Sequence, residues 1–270
     1  MSKYQLLEAS LADLDRLYQF KQEDLFNTDF SLKGFDYPWI VKSHLWKPGE
    51  KVLDVGAAYS PLPIHLQNTY GCEMWVADDF GMNSNDPFWT RNASPQEHIA
   101  RNPNVKFVFE RLGDPATSSL PAGYFDVVYS ASVLEHVPAQ SIRKVWRHLD
   151  LLLKPGGEML HAIDIPFPSN GGVKKILFAM GFDTFHFAFS KEFKARHFLS
   201  TPMTCARLAF SELDIQAGLG NALSALNMAL NPVILTESAA SGLRRITHDK
   251  MTSFHYSRVG SLMLRFKKVA

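Results

Sequence analysis

The residues best suited to chemistry fall in two neighbouring stretches. Lys51-Val-Leu-Asp-Val-Gly56-Ala-Ala-Tyr-Ser-Pro61 runs from an apolar strand into a tight turn of small residues. Met74-Trp-Val-Ala-Asp78-Asp79 is a second apolar strand ending in an acidic pair, 22 residues beyond Gly56. This is the layout of a nucleoside-binding βαβ unit. The turn brings backbone N–H groups close to a ligand, and the carboxylate at the second strand tip holds a ribose diol. A dinucleotide fingerprint needs G-x-G-x-x-G to seat a pyrophosphate on the following helix. Here Ala58 and Ser60 replace glycines and Pro61 opens the helix, so a pyrophosphate fits poorly. An adenosine without phosphate fits better, and S-adenosylmethionine is such a ligand.

Residue type then suggests roles. Gly56 leaves the backbone bare where the methionine end of the ligand approaches, since a side chain would collide with it. Asp54 lies inside an apolar strand, where an uncompensated carboxylate is costly. It is expected to bind turn N–H groups or, through water, the ligand ammonium. Asp78 is the expected acceptor for both ribose hydroxyls. Asp79 is its rival, because a one-residue shift of the strand exchanges the two. Ala57 and Ala58 complete the turn. His136, in Leu134-Glu-His-Val137, is the candidate general base, since its ordinary pKa suits neutral pH. A structural helix start is the competing reading, and His161 reads as a core histidine.

Alternating elements must position these groups. Residues 1–35 read as an amphipathic helix (Leu6, Leu7, Leu11, Leu14, Leu17, Phe20) and a polar loop, with a short helix around 37–46. Residues 1–46 are therefore assigned as an N-terminal helical segment and 47–270 as the main domain. Strands are expected near 50–56, 73–78, 105–110, 124–131 and 157–163, with helices near 61–69 and 139–153. Helix then strand follow at 201–218, and a final edge strand starts near Tyr256. Apolar strands alternating with helices make a doubly wound α/β fold, a mostly parallel sheet covered on both faces. Ser130 falls at the tip of its strand, where such a sheet opens its crevice.

Six segments occur in an order that resembles the class I S-adenosylmethionine-dependent methyltransferases, in particular the small-molecule group. They are Val52-Leu-Asp-Val-Gly56, the acidic end at Asp78, Leu112-Gly113-Asp114, Tyr124-Phe-Asp-Val-Val128, Leu134-Glu-His-Val137 and Leu153-Lys-Pro-Gly-Gly157. The resemblance covers roughly residues 45–165, with a weaker echo at 198–218 and 256–268. It implies a Rossmann-like seven-stranded sheet with an antiparallel last strand, and S-adenosylmethionine as cofactor. It also implies that Gly113 and Asp114 meet the adenine, Asp114 accepting from its amino group. Ubiquinone-pathway O-methyltransferases read Glu-x-x-Glu-His and bind a divalent metal. Here Ser132 stands in place of the first carboxylate, so no metal is expected.

Bulk properties narrow the partners. A net charge of +1 and a pI near 7.8 lack the basic excess of a duplex-binding protein. The chain also lacks an Asn-Pro-Pro-Tyr segment, so nucleic acid is disfavoured as substrate. No apolar run approaches the roughly 18 residues of a membrane span, and the N-terminus lacks a signal peptide's apolar core. Cys72 and Cys205, without CxxC spacing, read as buried free thiols of a cytoplasmic protein. Residues 165–200 hold 8 of the 20 phenylalanines, where family members build a substrate lid. One expectation is an apolar pocket walled by Phe182, Phe185, Phe187 and Phe189. Lys191, Lys194, Arg196 or His197 would then select an anionic or aromatic acceptor. The other is an insert simply packed on the domain, and 219–255 reads as a second insertion. The expected reaction is O-methylation of a small molecule. Methylation of nitrogen or carbon, a NAD-dependent dehydrogenase and a non-catalytic cofactor-binding protein are the alternatives.

Overall fold

The computed structural model of the chain describes residues 3–12, 33–81, 94–138, 140–166, 202–215 and 259–270. Five strands run parallel: β2 (Lys51–Val55), β3 (Glu73–Ala77), β4 (Lys106–Val108), β5 (Phe125–Ala131) and β6 (Leu153–Pro166). Runs of Val, Leu, Met and Phe in the interior strands β2, β5 and β6 are buried on both faces, as a parallel sheet demands, while β4 at the edge is only partly covered. Two further strands complete the sheet, β1 (Tyr4–Ala12) and β7 (Val259–Lys268), in the order β1-β7-β6-β5-β2-β3-β4. β7 is antiparallel to both of its neighbours. The seven-stranded, mostly parallel, doubly wound sheet with an antiparallel last strand is therefore the architecture expected.

Three sequence expectations need correction. The N-terminal helix is wrong over its described part: residues 4–12 form β1, pairing from Tyr4↔Lys268 to Ala12↔Ser261. Leucine spacing there is compatible with a helix, but pairing with a strand at the far end of the chain prevails. β7 is consequently an interior strand, and β1 takes the edge. Over its described part, to residue 215, the strand expected after residue 212 is one parallel bridge, Ile215 to Tyr4. The helix expected at 37–46 is α1, Lys33–Ser43. All but the first two residues of the 165–200 insertion, and the whole of 219–255, lie outside the described residues.

Helices cover both faces. α1 and α2 (Leu62–Tyr70) contribute Trp39, Ile40, Leu62 and Leu66 to one core, which also holds Val52, Val127 and Tyr129. α4 (Ile142–Leu152) and α5 (Pro202–Glu212) cover the other face, with Trp146, Leu149 and Ala209 against Leu53, Val55 and Val128. α3 is the short helix Pro95–Arg101. In α4 the buried positions Ile142, Val145, Trp146, Leu149 and Leu152 follow the helical period. Pro61 opens α2, and Gly71, in the left-handed region, closes it by donating its N–H to Gln67 O. Cys72 and Cys205 are buried free thiols.

A charged clasp fixes the far end of α1. His44 Nε2 lies 2.9 Å from Glu50 Oε1, and its Nδ1 lies 3.2 Å from Glu158 Oε2. Arg265 donates Nε and Nη2 to the same Glu158 oxygen at 3.0 and 2.8 Å. Hydrogen bonds to both carboxylates outweigh burial and push His44 up to about 9, while Glu158 is held down at about 2. A histidine whose pKa rises on folding contributes stability that is complete below its unfolded value and vanishes above its folded one. The His44 contribution, on the order of 3 kcal/mol, is thus full below pH 6.5 and fades as pH rises through 9. Denaturant titrations should show a wild-type advantage over His44→Gln at pH 6 that disappears by pH 10. An advantage independent of pH would show that the imidazole is not charged in the clasp.

Candidate cofactor and active site

The chain leaves β2 for β3 and β4 on one side, then returns to β5 on the other. A doubly wound sheet opens its ligand crevice at such a reversal, beyond the C-terminal strand ends. Asp54 stands there, 2% exposed and in register with Tyr129 of β5. Burial pushes its carboxyl up to about 8, against the pull of Tyr129 and Lys33, and nearby Asp78 adds repulsion. The Tyr129 hydroxyl has no partner of good hydrogen-bond geometry among the described residues. Among the described residues, the pull of Lys33 falls short of offsetting the burial of Asp54.

The turn after β2 is tied to the tip of β3. Gly56 N–H donates to Ala77 O at 2.8 Å, and Ala58 N–H donates to Asp78 Oδ2 at 2.7 Å. Asp78 Oδ1 accepts the Phe80 N–H at 2.6 Å. Among the described residues, each oxygen of Asp78 so spends one lone pair on backbone and keeps the other. Burial nonetheless raises its pKa, ahead of those two hydrogen bonds. Asp79 points elsewhere, accepting from Gly81 N–H at 3.1 Å and pairing with the Arg111 guanidinium. Gly56 has φ +72, and a Cβ added there would come within 2.5 Å of a Val133 methyl. Its bareness is therefore demanded by backbone geometry and by Val133. Ala57 O accepts the Ser60 N–H, and Ala58 holds φ 47, unusual for a residue with a side chain.

The remaining candidates are dispersed. Gly113, at φ +126, donates its N–H to His148 Nδ1 at 3.1 Å. Asp114 is exposed and its Oδ1 accepts the Ala116 N–H at 3.2 Å, an aspartate turn. Ser130 needs correction as a crevice residue. Its neighbours Tyr129 and Ala131 face α1, so its side chain faces the opposite layer. There it is fully buried, 2.8 Å from His161 Nδ1, with the Trp146 ring 5.0 Å from that imidazole. Burial drives His161 down to about 3, so it stays neutral. His136 closes the 3₁₀ turn Leu134–His136 just beyond β5. Its side chain is 47% exposed, with Nε2 3.9 Å from Glu135 Oε1.

Sequence reasoning missed the contribution of α1. Asp36 is wholly buried and accepts from Ser132 Oγ at 2.9 Å and Ser261 Oγ at 2.8 Å, at the tips of β5 and β7. Lys33 donates to the carbonyl of Ala131 and lies close enough to Asp36 and Asp54 to stabilise both charges. Only the odd placement of Lys33 and Asp36 in an apolar helix hinted at this. Among the described residues, no group of three or more His, Cys, Asp or Glu is placed to hold a metal.

The residues present fit S-adenosylmethionine. A buried carboxyl that Lys33 offsets only in part suits a ligand with an ammonium and a sulfonium, and the turn offers no glycine cradle for a phosphate. The comparisons agree. A model described as a methyltransferase domain matches residues 41–190, more than half of the chain. A phosphoethanolamine N-methyltransferase of Triticum aestivum is 30% identical over 114 residues, 42% of this chain. The match spans only 20% of that relative's length. A cyclopropane synthase of Mycobacterium tuberculosis superposes with TM-score 0.52 at 10% identity, covering 96% of this chain and 89% of its own. A Haemonchus contortus phosphoethanolamine N-methyltransferase, in complex with phosphomonomethylethanolamine and S-adenosylhomocysteine, gives 0.51 at 16%, covering 93% and 57%. At such identities these two structures establish a common fold. With the matched domain and the arrangement of the strand tips, they make this chain a member of the class I methyltransferase-domain family, whose cofactor is S-adenosylmethionine.

Proposed function

We propose that this chain transfers a methyl group from S-adenosylmethionine to a small-molecule acceptor. One observation carries the reading: a buried, cation-seeking carboxyl, Asp54, beside a turn tied to Asp78 and unsuited to phosphate. When bound, S-adenosylmethionine supplies a methyl group already activated by its sulfonium. The chain's own residues then have to bind and align, which in well-oriented systems can supply roughly 7–11 kcal/mol. Asp54 compensates the cationic end, Asp78 accepts ribose hydroxyls with its remaining lone pairs, and the Gly113–Asp114 loop meets the adenine. His136, exposed at the tip of β5, takes the proton released by the acceptor, a contribution of about 10²–10⁴-fold.

A hydroxyl is the acceptor that most needs such a base, so oxygen is the first reading. An amine nitrogen is the second, favoured by the similarity to the wheat phosphoethanolamine N-methyltransferase. Methyl-transfer assays over hydroxylated, anionic and amino acceptors separate them by product. Calorimetry with S-adenosylhomocysteine and with NAD tests the ligand class, and saturable binding of NAD alone would overturn the proposal.

Three outcomes are expected. The ligand ammonium, which S-adenosylhomocysteine shares with S-adenosylmethionine, favours the Asp54 carboxylate, so binding below pH 8 releases a proton. S-adenosylhomocysteine affinity should therefore fall as pH drops through 8, by up to about tenfold per unit. Asp54→Asn should abolish that proton release when heats are compared across buffers. Asp78→Ala should weaken cofactor binding more than Asp79→Ala, and the reverse order would hand the ribose to Asp79. His136→Ala should lower turnover by about 10²-fold or more with cofactor affinity kept; unchanged turnover would remove it from the active site.

A further inference from the structure

We infer that His148 is a positioning residue for the cofactor: from α4 it fastens the Gly113–Asp114 step by accepting the Gly113 N–H, and its protonation releases the loop. The inference rests on the reading that this loop receives the adenine. The 3.1 Å contact runs from backbone N–H to Nδ1, which accepts only when the imidazole is neutral with its proton on Nε2. His148 is almost wholly buried in α4, so the acceptor cannot swing away. Gly113, at φ +126, holds a conformation that residues with side chains rarely adopt, and in it the N–H points at the ring.

The loop has a second fastener at its base. Glu110 accepts from Ser118 Oγ at 2.6 Å, and from Ser119 N–H and Oγ at 2.9 and 3.0 Å. Of the two, only the imidazole can change from acceptor to donor near neutral pH. The charged groups around it are Glu110 and Asp114 of the loop and, one turn earlier on its own helix, Lys144, which packs near Gly113. Burial outweighs the pull of the two carboxylates and keeps the imidazole below the ordinary histidine value. The loop is therefore fastened at neutral pH and loosens as the solution becomes acidic.

The test measures S-adenosylhomocysteine affinity by calorimetry from pH 5 to 8 for wild type, His148→Asn and His148→Leu. The Asn amide oxygen reaches the place of Nδ1 and accepts the same N–H without titrating; Leu fills the space but accepts nothing. At pH 7.5, His148→Leu should bind roughly tenfold more weakly, while His148→Asn should stay within about threefold. On the acid side the wild-type-to-Asn affinity ratio should fall, a comparison in which the slope due to Asp54 cancels. Asn as weak as Leu, or a ratio independent of pH, would overturn the inference. Asp114→Ala, measured alongside, separates the two levels. If it leaves affinity unchanged, the adenine reading fails and takes the inference with it. If it weakens binding while His148→Leu does not, only the role of His148 falls.

Discussion

Two carboxyl groups buried at adjoining strand tips set the terms for everything around them. Asp54 and Asp78 repel each other in a setting where water cannot screen them. Asp78 is answered by backbone: the N–H groups of Ala58 and Phe80 point at it, and the turn after β2 takes the shape that allows this. Asp54 is answered only in part, by the neighbourhood of Lys33 and Tyr129, and so keeps its proton near neutrality. The site is an electrostatic deficit held open by the fold, and a cation fills it more easily than any anion.

Holding the deficit open requires α1. At one end Asp36 reaches the hydroxyls of Ser132 and Ser261, and Lys33 reaches the last carbonyl of β5. At the other end His44 sits between Glu50 and Glu158. The helix is thus fastened to the sheet at both ends, and between them Trp39 and Ile40 bury its apolar face. β7 takes part in both fastenings, through Ser261 and Arg265. An antiparallel strand drawn from the end of the chain thereby helps to shape a crevice built on parallel strands from its middle.

The opposite face plays a different part. Ser130, His161 and Trp146 form a buried polar contact within an otherwise apolar layer, and the depressed pKa of His161 keeps it out of proton transfer. His136, by contrast, is carried into solvent beyond β5 by the short 3₁₀ turn. From the same layer, α4 reaches around to Gly113 through His148. Helices of both layers thus reach the loops at one end of the sheet.

The parts of this protein legible in its sequence are those governed by near neighbours. The strands β2, β3 and β5 fall close to their expected places because their apolar runs and bounding turns lie within a few residues. The acidic tip at Asp78 and the small-residue turn at Gly56 are likewise local patterns. Tertiary structure alone decided the rest. Leu6, Leu7 and Leu11 fit a helix as well as a strand, and only the antiparallel pairing with β7 makes Tyr4–Ala12 extended. Ser130 lies next to the end of β5, but its side chain joins the layer of His161 and Trp146, and no local signal says which layer a given side chain joins. Lys33, Asp36 and His148 are ordinary helix residues in sequence, and their partners come from strands and loops far along the chain. Periodicity tells a segment what it can become; the choice of distant partner depends on burial and charge balance, which exist only once the chain has folded.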